Sequence, residues 1–99
     1  TLNVANEKRG YTLADRGTYL SRKKDLKLDI LKEGDPILLN VYHVISVNPA
    51  KFAKVNTEGA KAFSDFMVST ETQNIIKTFG VEKFGGALFF PDAGKPEYN

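Results

Sequence analysis

From Tyr11 to Leu20 the sequence reads Tyr-Thr-Leu-Ala-Asp-Arg-Gly-Thr-Tyr-Leu, and this run holds the side chains best suited to binding a small anion. Thr12 and Thr18 can donate hydroxyl hydrogens. Arg16 can donate several N–H groups from a rigid, charged fork. The run stands where a strand is expected to become a helix, so the main chain from Asp15 to Gly17 adds free N–H groups and a positive dipole end. A tetrahedral dianion needs donors converging from several directions. Charge-assisted hydrogen bonds are about twice as strong as neutral ones, which makes Arg16 the dominant contact if it reaches the ligand. The same residues also have a structural reading. Asp15 is a good N-cap, Arg16 can pair with a carboxylate inside the fold, and Gly17 can permit close helix packing.

Composition narrows what these residues can be doing. The chain has 99 residues, which is one domain at most or a piece of one. A net charge of +2, from 14 basic and 12 acidic residues, is too balanced to argue for nucleic acid. The one basic cluster, Arg22-Lys23-Lys24, is followed at once by Asp25 and reads as a solvated helix end. There is no cysteine, which excludes disulfides, zinc thiolate sites and cysteine nucleophiles. His43 is the one histidine; it alternates with Val41 and Ile45 and reads as a partly buried strand residue. No His, Cys or carboxylate spacing suggests a metal site, and most acid–base and nucleophilic schemes lack parts. The chain therefore reads as a non-enzyme. The apolar stretch from Ile37 to Val47 falls far short of the ~20 residues needed to span a bilayer.

The elements that must position the motif alternate between strand and helix, so the expected class is α/β. Residues 3–9 read as a helix end, punctuated by Gly10. Tyr11 to Leu13 reads as a short strand, and Asp15 caps a helix over about 16–23. Leu26, Leu28 and Ile30 alternate as a half-buried strand, and Glu33-Gly34-Asp35-Pro36 is a turn. Residues 40–48 make the best strand, rich in β-branched and aromatic residues and ended by Pro49. Asn56 caps a helix from Thr57 to about Val68, with Ala60, Phe63, Phe66 and Met67 forming its apolar stripe. Thr70 and Gln73 form a capping box for a helix ending at Phe79, with Gly80 as its C′ residue. Phe63, Phe66 and Phe79 are expected in the core. Residues 87–90 read as a strand or an extended packed segment.

The chain resembles the C-terminal part of the tungstate-binding solute receptors of ABC importers. Tyr11-Thr12-Leu13-Ala14-Asp15-Arg16-Gly17-Thr18-Tyr19 is similar to a signature of that family, with Ala14 where threonine is frequent. Residues 33–49 look like the family's return strand. Val55-Asn56 through Gly59-Ala60 and Phe63, then Ser69, Glu71, Gln73 and Phe79-Gly80, resemble its terminal helices. Leu88-Phe89-Phe90-Pro91-Asp92-Ala93 is similar to its usual ending.

The resemblance implies part of a type II periplasmic binding protein fold, a two-lobed α/β sandwich of which this is the C-terminal portion. Residues 1–35 would end the second lobe, 36–48 would be the hinge crossover strand, and 49–99 would return to the first lobe. The implied ligand residues are Thr12, Asp15, Arg16, Thr18 and Tyr42, the last presenting its hydroxyl from the hinge strand. The implied ligand is tungstate or a similar tetrahedral oxyanion such as molybdate, with no cofactor. The implied partners are the membrane permease of the importer, in the periplasm or outside the cell, and the missing N-terminal part of the same protein. Taken alone, such a piece is expected to dimerise or swap segments. The competing reading is a ligand-free, partner-binding module that reuses the fold.

Overall fold

The computed structural model describes residues 1–95. Its helices are α1 (Leu2–Lys8), α2 (Arg16–Arg22), α3 (Thr57–Met67), α4 (Thr70–Thr78) and α5 (Val81–Phe84), with 3₁₀ turns at Lys23–Asp25 and Pro36–Leu38. The chain divides into two compact units. One comprises Thr1–Leu39 with Lys77–Phe90, and the other Asn40–Ile76 with the chain from Pro91 onward.

In the first unit Leu2, Ala5, Gly17 and Leu88 are buried. Polar side chains tie α1 to the end of α2 and the segment after it. Arg22 donates to the Asn3 amide oxygen at 2.8 Å, and the Lys27 N–H donates to that of Asn6 at 2.7 Å. The Tyr19 hydroxyl donates to the Leu28 carbonyl at 2.8 Å, which holds α2 to the chain that follows it. Gly17 packs close to the chain after α5: a Cβ there would lie 3.5 Å from Phe89 and 3.8 Å from Leu88, at van der Waals contact. Gly80 combines a left-handed φ of 72° with the close approach of Leu88. Both conditions favour glycine, which turns the chain between α4 and α5. The turn at 33–36 forms as expected. Gly34 takes φ 77°, and Asp35 accepts from the Ile37 N–H to cap the 3₁₀ turn.

In the second unit Asn56 caps α3, its Oδ1 accepting from the Gly59 N–H at 2.8 Å. The Asn56 amide occupies the space where a Cβ on residue 59 would stand, 2.8 Å from its nitrogen. The start of α4 differs from the expected box by one residue. Ser69, not Thr70, accepts from the Thr72 N–H, and the Gln73 N–H donates to the Ser69 carbonyl. The Gln73 side chain is occupied elsewhere: it donates to the Met67 carbonyl at 2.9 Å and accepts from the Ala93 N–H at 3.1 Å. Thr72 is buried against this turn and meets the Ser69 hydroxyl.

Two sets of expectations need correction. The segments expected as strands (11–13, 26–30 and 40–48) lie outside any helix, and no ladder joins them among the described residues, while 87–90 takes the second of its two readings, a packed segment with Leu88 buried. The described residues are helical without a strand, so the α/β sandwich is not drawn by this chain alone. A strand is stabilised by the neighbour it hydrogen-bonds, and an unpartnered strand has little to hold it. The apolar stripe is also uncovered: Phe63, Phe66 and Phe79 are each more than half exposed, and His43 is exposed rather than partly buried. An amphipathic face is buried only when something packs on it.

Candidate functional site

The sequence motif folds as a short loop leading into α2, and its polar groups are engaged with each other. Asp15 takes an extended conformation (φ −76°, ψ 154°) and caps α2. Its Oδ2 accepts from the Thr18 N–H at 3.0 Å and from the Thr18 hydroxyl at 2.9 Å. The backbone bond from Thr18, followed by the hydroxyl bond, holds the Asp15 carboxyl below the usual carboxylate range. Asp15 thus already supplies the negative charge that the start of α2 favours.

Arg16 points to a different partner. Its Nη2 donates to Glu33 Oε2 at 2.8 Å, and its guanidinium lies 5.9 Å from the centre of the Phe90 ring. The pair is half-exposed, so it contributes at most about 1 kcal/mol to stability. It leaves other guanidinium N–H groups uncommitted by this bond. The Thr12 hydroxyl makes only a long contact, 3.4 Å, to the Leu13 carbonyl. Beside the cap lies a hollow of about 330 Å³, bordered by Asn3, Leu13, Asp15, Thr18 and Arg22.

Thr12, Asp15, Arg16 and Thr18 are therefore brought together within the first unit. Tyr42 belongs to the second, where it is exposed. Glu33 and Phe90 are the residues that sequence reasoning missed as neighbours of Arg16. Only the turn signal at Gly34-Asp35-Pro36 hinted that the chain bends close to Glu33. Among the described residues no group of His, Asp or Glu could hold a metal ion, and no helix is long and apolar enough to cross a membrane.

A model of the PBP superfamily domain matches residues 1–71, which spans the motif, the turn at 33–36 and α3. The chain belongs to the PBP superfamily. Among relatives of this superfamily member, the tungstate-binding protein TupA of Peptoclostridium acidaminophilum is 52% identical over 95% of this chain and 33% of its own length. A putative ABC transporter anion-binding protein of Haloferax volcanii is 44% identical over 94% of this chain and 28% of its own. The tungstate-binding protein TupA of Campylobacter jejuni is 39% identical over 80% of this chain and 31% of its own. The chain thus spans about a third of the length of the curated relatives it matches. No solved structure matches it.

Proposed function

We propose that this chain is part of a binding protein that captures tungstate, or a similar tetrahedral oxyanion such as molybdate, for an ABC importer. It works without catalysis or cofactor and hands its ligand to a membrane permease, in the periplasm or outside the cell. The observation that carries this reading is the 52% identity over 95% of the chain to a tungstate-binding protein. Residues 1–35 would end one lobe, 36–48 would form the hinge crossover, and 49–99 would return to the other lobe. The remaining part of such a receptor would supply the other lobe surfaces and cover the exposed apolar face of α3. Lacking it, the chain should self-associate or exchange segments.

Thr12, Asp15, Arg16, Thr18 and Tyr42 are the proposed ligand residues, with unequal parts. Arg16 supplies the positive charge and the N–H groups that Glu33 leaves free. Thr12 supplies a hydroxyl whose contact to the Leu13 carbonyl is long. The Asp15 carboxylate has the wrong sign to meet the anion, so Asp15 contributes through the turn it caps, whose main-chain N–H groups serve the ligand, and Thr18 holds that turn by its bond to Asp15. Tyr42 contributes a hydroxyl from the crossover.

Calorimetric titration of tungstate, with molybdate and sulfate as controls, into a receptor-length protein carrying this segment tests the reading. Tight tungstate binding is expected, with a loss of about tenfold or more in Arg16→Ala if one charge-assisted bond is removed. Binding that survives in Arg16→Ala keeps the receptor and moves Arg16 to a structural role. No binding of any oxyanion leaves the partner-binding module.

A further inference from the structure

Six cationic side chains of the first unit, Lys8, Arg9, Arg22, Lys23, Lys24 and Lys27, are exposed and belong to segments that the fold brings together. The bonds from Arg22 to Asn3 and from Lys27 to Asn6 lay the chain after α2 along α1. Lys8 and Arg9 follow Asn6 at the end of α1. Both α1 and α2 finish in cations, where helix dipoles favour them. The carboxylates on these segments are Glu7, Asp25 and Asp29, which leaves a local excess of three positive charges. Among the described residues none of the six is in an ion pair. Of the other carboxylates of the unit, Asp15 is committed to Thr18, Glu33 to Arg16, and Asp35 to Ile37 and Lys32, while Glu82 lies on α5, outside these segments.

We propose that this face docks on an anionic lipid surface. Six cations gathered with only three carboxylates leave an excess of like charge that repels itself and favours an external negative field. Four of the six are lysines, which are depleted at protein–protein interfaces, where aromatic anchors dominate. Neither segment, 2–9 or 22–30, contains an aromatic residue, so there is no anchor for a shaped protein partner and no platform for stacking bases. A layer of anionic headgroups requires no such anchor. It attracts long, mobile cations through a field that fades within a Debye length. The proposal rests on charge and exposure alone and does not depend on the oxyanion reading.

The test is co-sedimentation of the chain with vesicles of equal parts phosphatidylglycerol and phosphatidylcholine, against phosphatidylcholine alone. The chain should pellet with the anionic vesicles only, and should be released at about 1 M salt, where the Debye length falls to about 3 Å. Replacing Lys23, Lys24 and Lys27 together by Gln removes the charge excess and should weaken binding on the order of 100-fold. Lys8→Gln with Arg9→Gln reaches the same face from α1 and should weaken it roughly 30-fold. Lys61→Gln, which removes an ammonium paired with Asp65 at 2.6 Å on α3, should change nothing. Helical circular dichroism of each variant shows whether it still folds. Equal binding to both vesicles, binding insensitive to salt, or unchanged binding of both multiple variants would overturn the proposal. So would binding to an acidic protein or a nucleic acid without binding to anionic vesicles.

Discussion

At the start of α2 the strong polar groups find partners within their own unit. Asp15 holds Thr18 three residues on, and Arg16 holds Glu33 seventeen residues on. At 40–48, which has the stronger strand composition, no ladder forms among the described residues, and Ile45 is 84% exposed. The difference is one of range. A cap closes over three residues, so its entropic cost is small and it forms wherever its residues occur. A strand's favourable energy comes from a second backbone and a covered face, and both must come from elsewhere. Sequence strength and structural self-sufficiency are therefore separate properties of this chain.

The largest expected effect contrasts burial in the two units. Leu88 is 7% exposed and packs against Gly17 and Gly80, so Leu88→Ala should cost about 2–5 kcal/mol in urea unfolding. Phe63 in the second unit is 56% exposed. Phe63→Ala should cost less than about 1 kcal/mol in the chain by itself, although Phe63 heads the expected core stripe. A loss at Phe63 equal to that at Leu88 would mean that the stripe of α3 is already covered, and the contrast between the units would fail.

The caps come next. Asp15→Ala and Asn56→Ala should each cost about 1 kcal/mol, read as loss of helical circular dichroism on heating. They should part company with pH. The folded pKa of Asp15 lies below its unfolded value of 3.8, so its contribution is full above 3.8 and is lost as pH falls through the folded value. Asn56 does not titrate. Asp15→Asn should therefore flatten the acid limb of the stability profile, and Asn56→Asp should steepen it. The smallest effect belongs to the exposed ion pair: Glu33→Gln should shift stability by less than about 1 kcal/mol. In the oxyanion titration the same change should leave binding equal or tighter, because it releases Arg16.

The short-range elements were legible in the sequence for the same reason that they form unaided. Asp15 before Arg16, Asn56 before Thr57, and Gly34 and Gly80 at their turns each declare a local geometry that the structure contains. Thr70-x-x-Gln73 misled by one residue because Ser69 offers the same hydroxyl chemistry a position earlier. Gln73, freed from the box, fastens Ala93 instead. The pairing of Arg16 with Glu33 carried no periodic signal, since both lie outside any repeating pattern and meet through a loop. The burial of His43 and of the phenylalanine stripe was read from alternation and helical spacing, which show which face is apolar but not what lies opposite. Of the candidate site, the grouping of Thr12 to Thr18 was readable, while the carboxylate facing Arg16 was not.

The Asn56–Gly59 contact carries a consequence for how this chain can change over generations. The amide of Asn56 stands where a Cβ at residue 59 would be, so a side chain at 59 must displace the capping amide, and the two positions are coupled. In a population randomised at both and selected for folding, asparagine at 56 should be enriched beside glycine at 59. Alanine at 59 should be recovered more often with the shorter serine at 56, which keeps a capping oxygen while vacating that space.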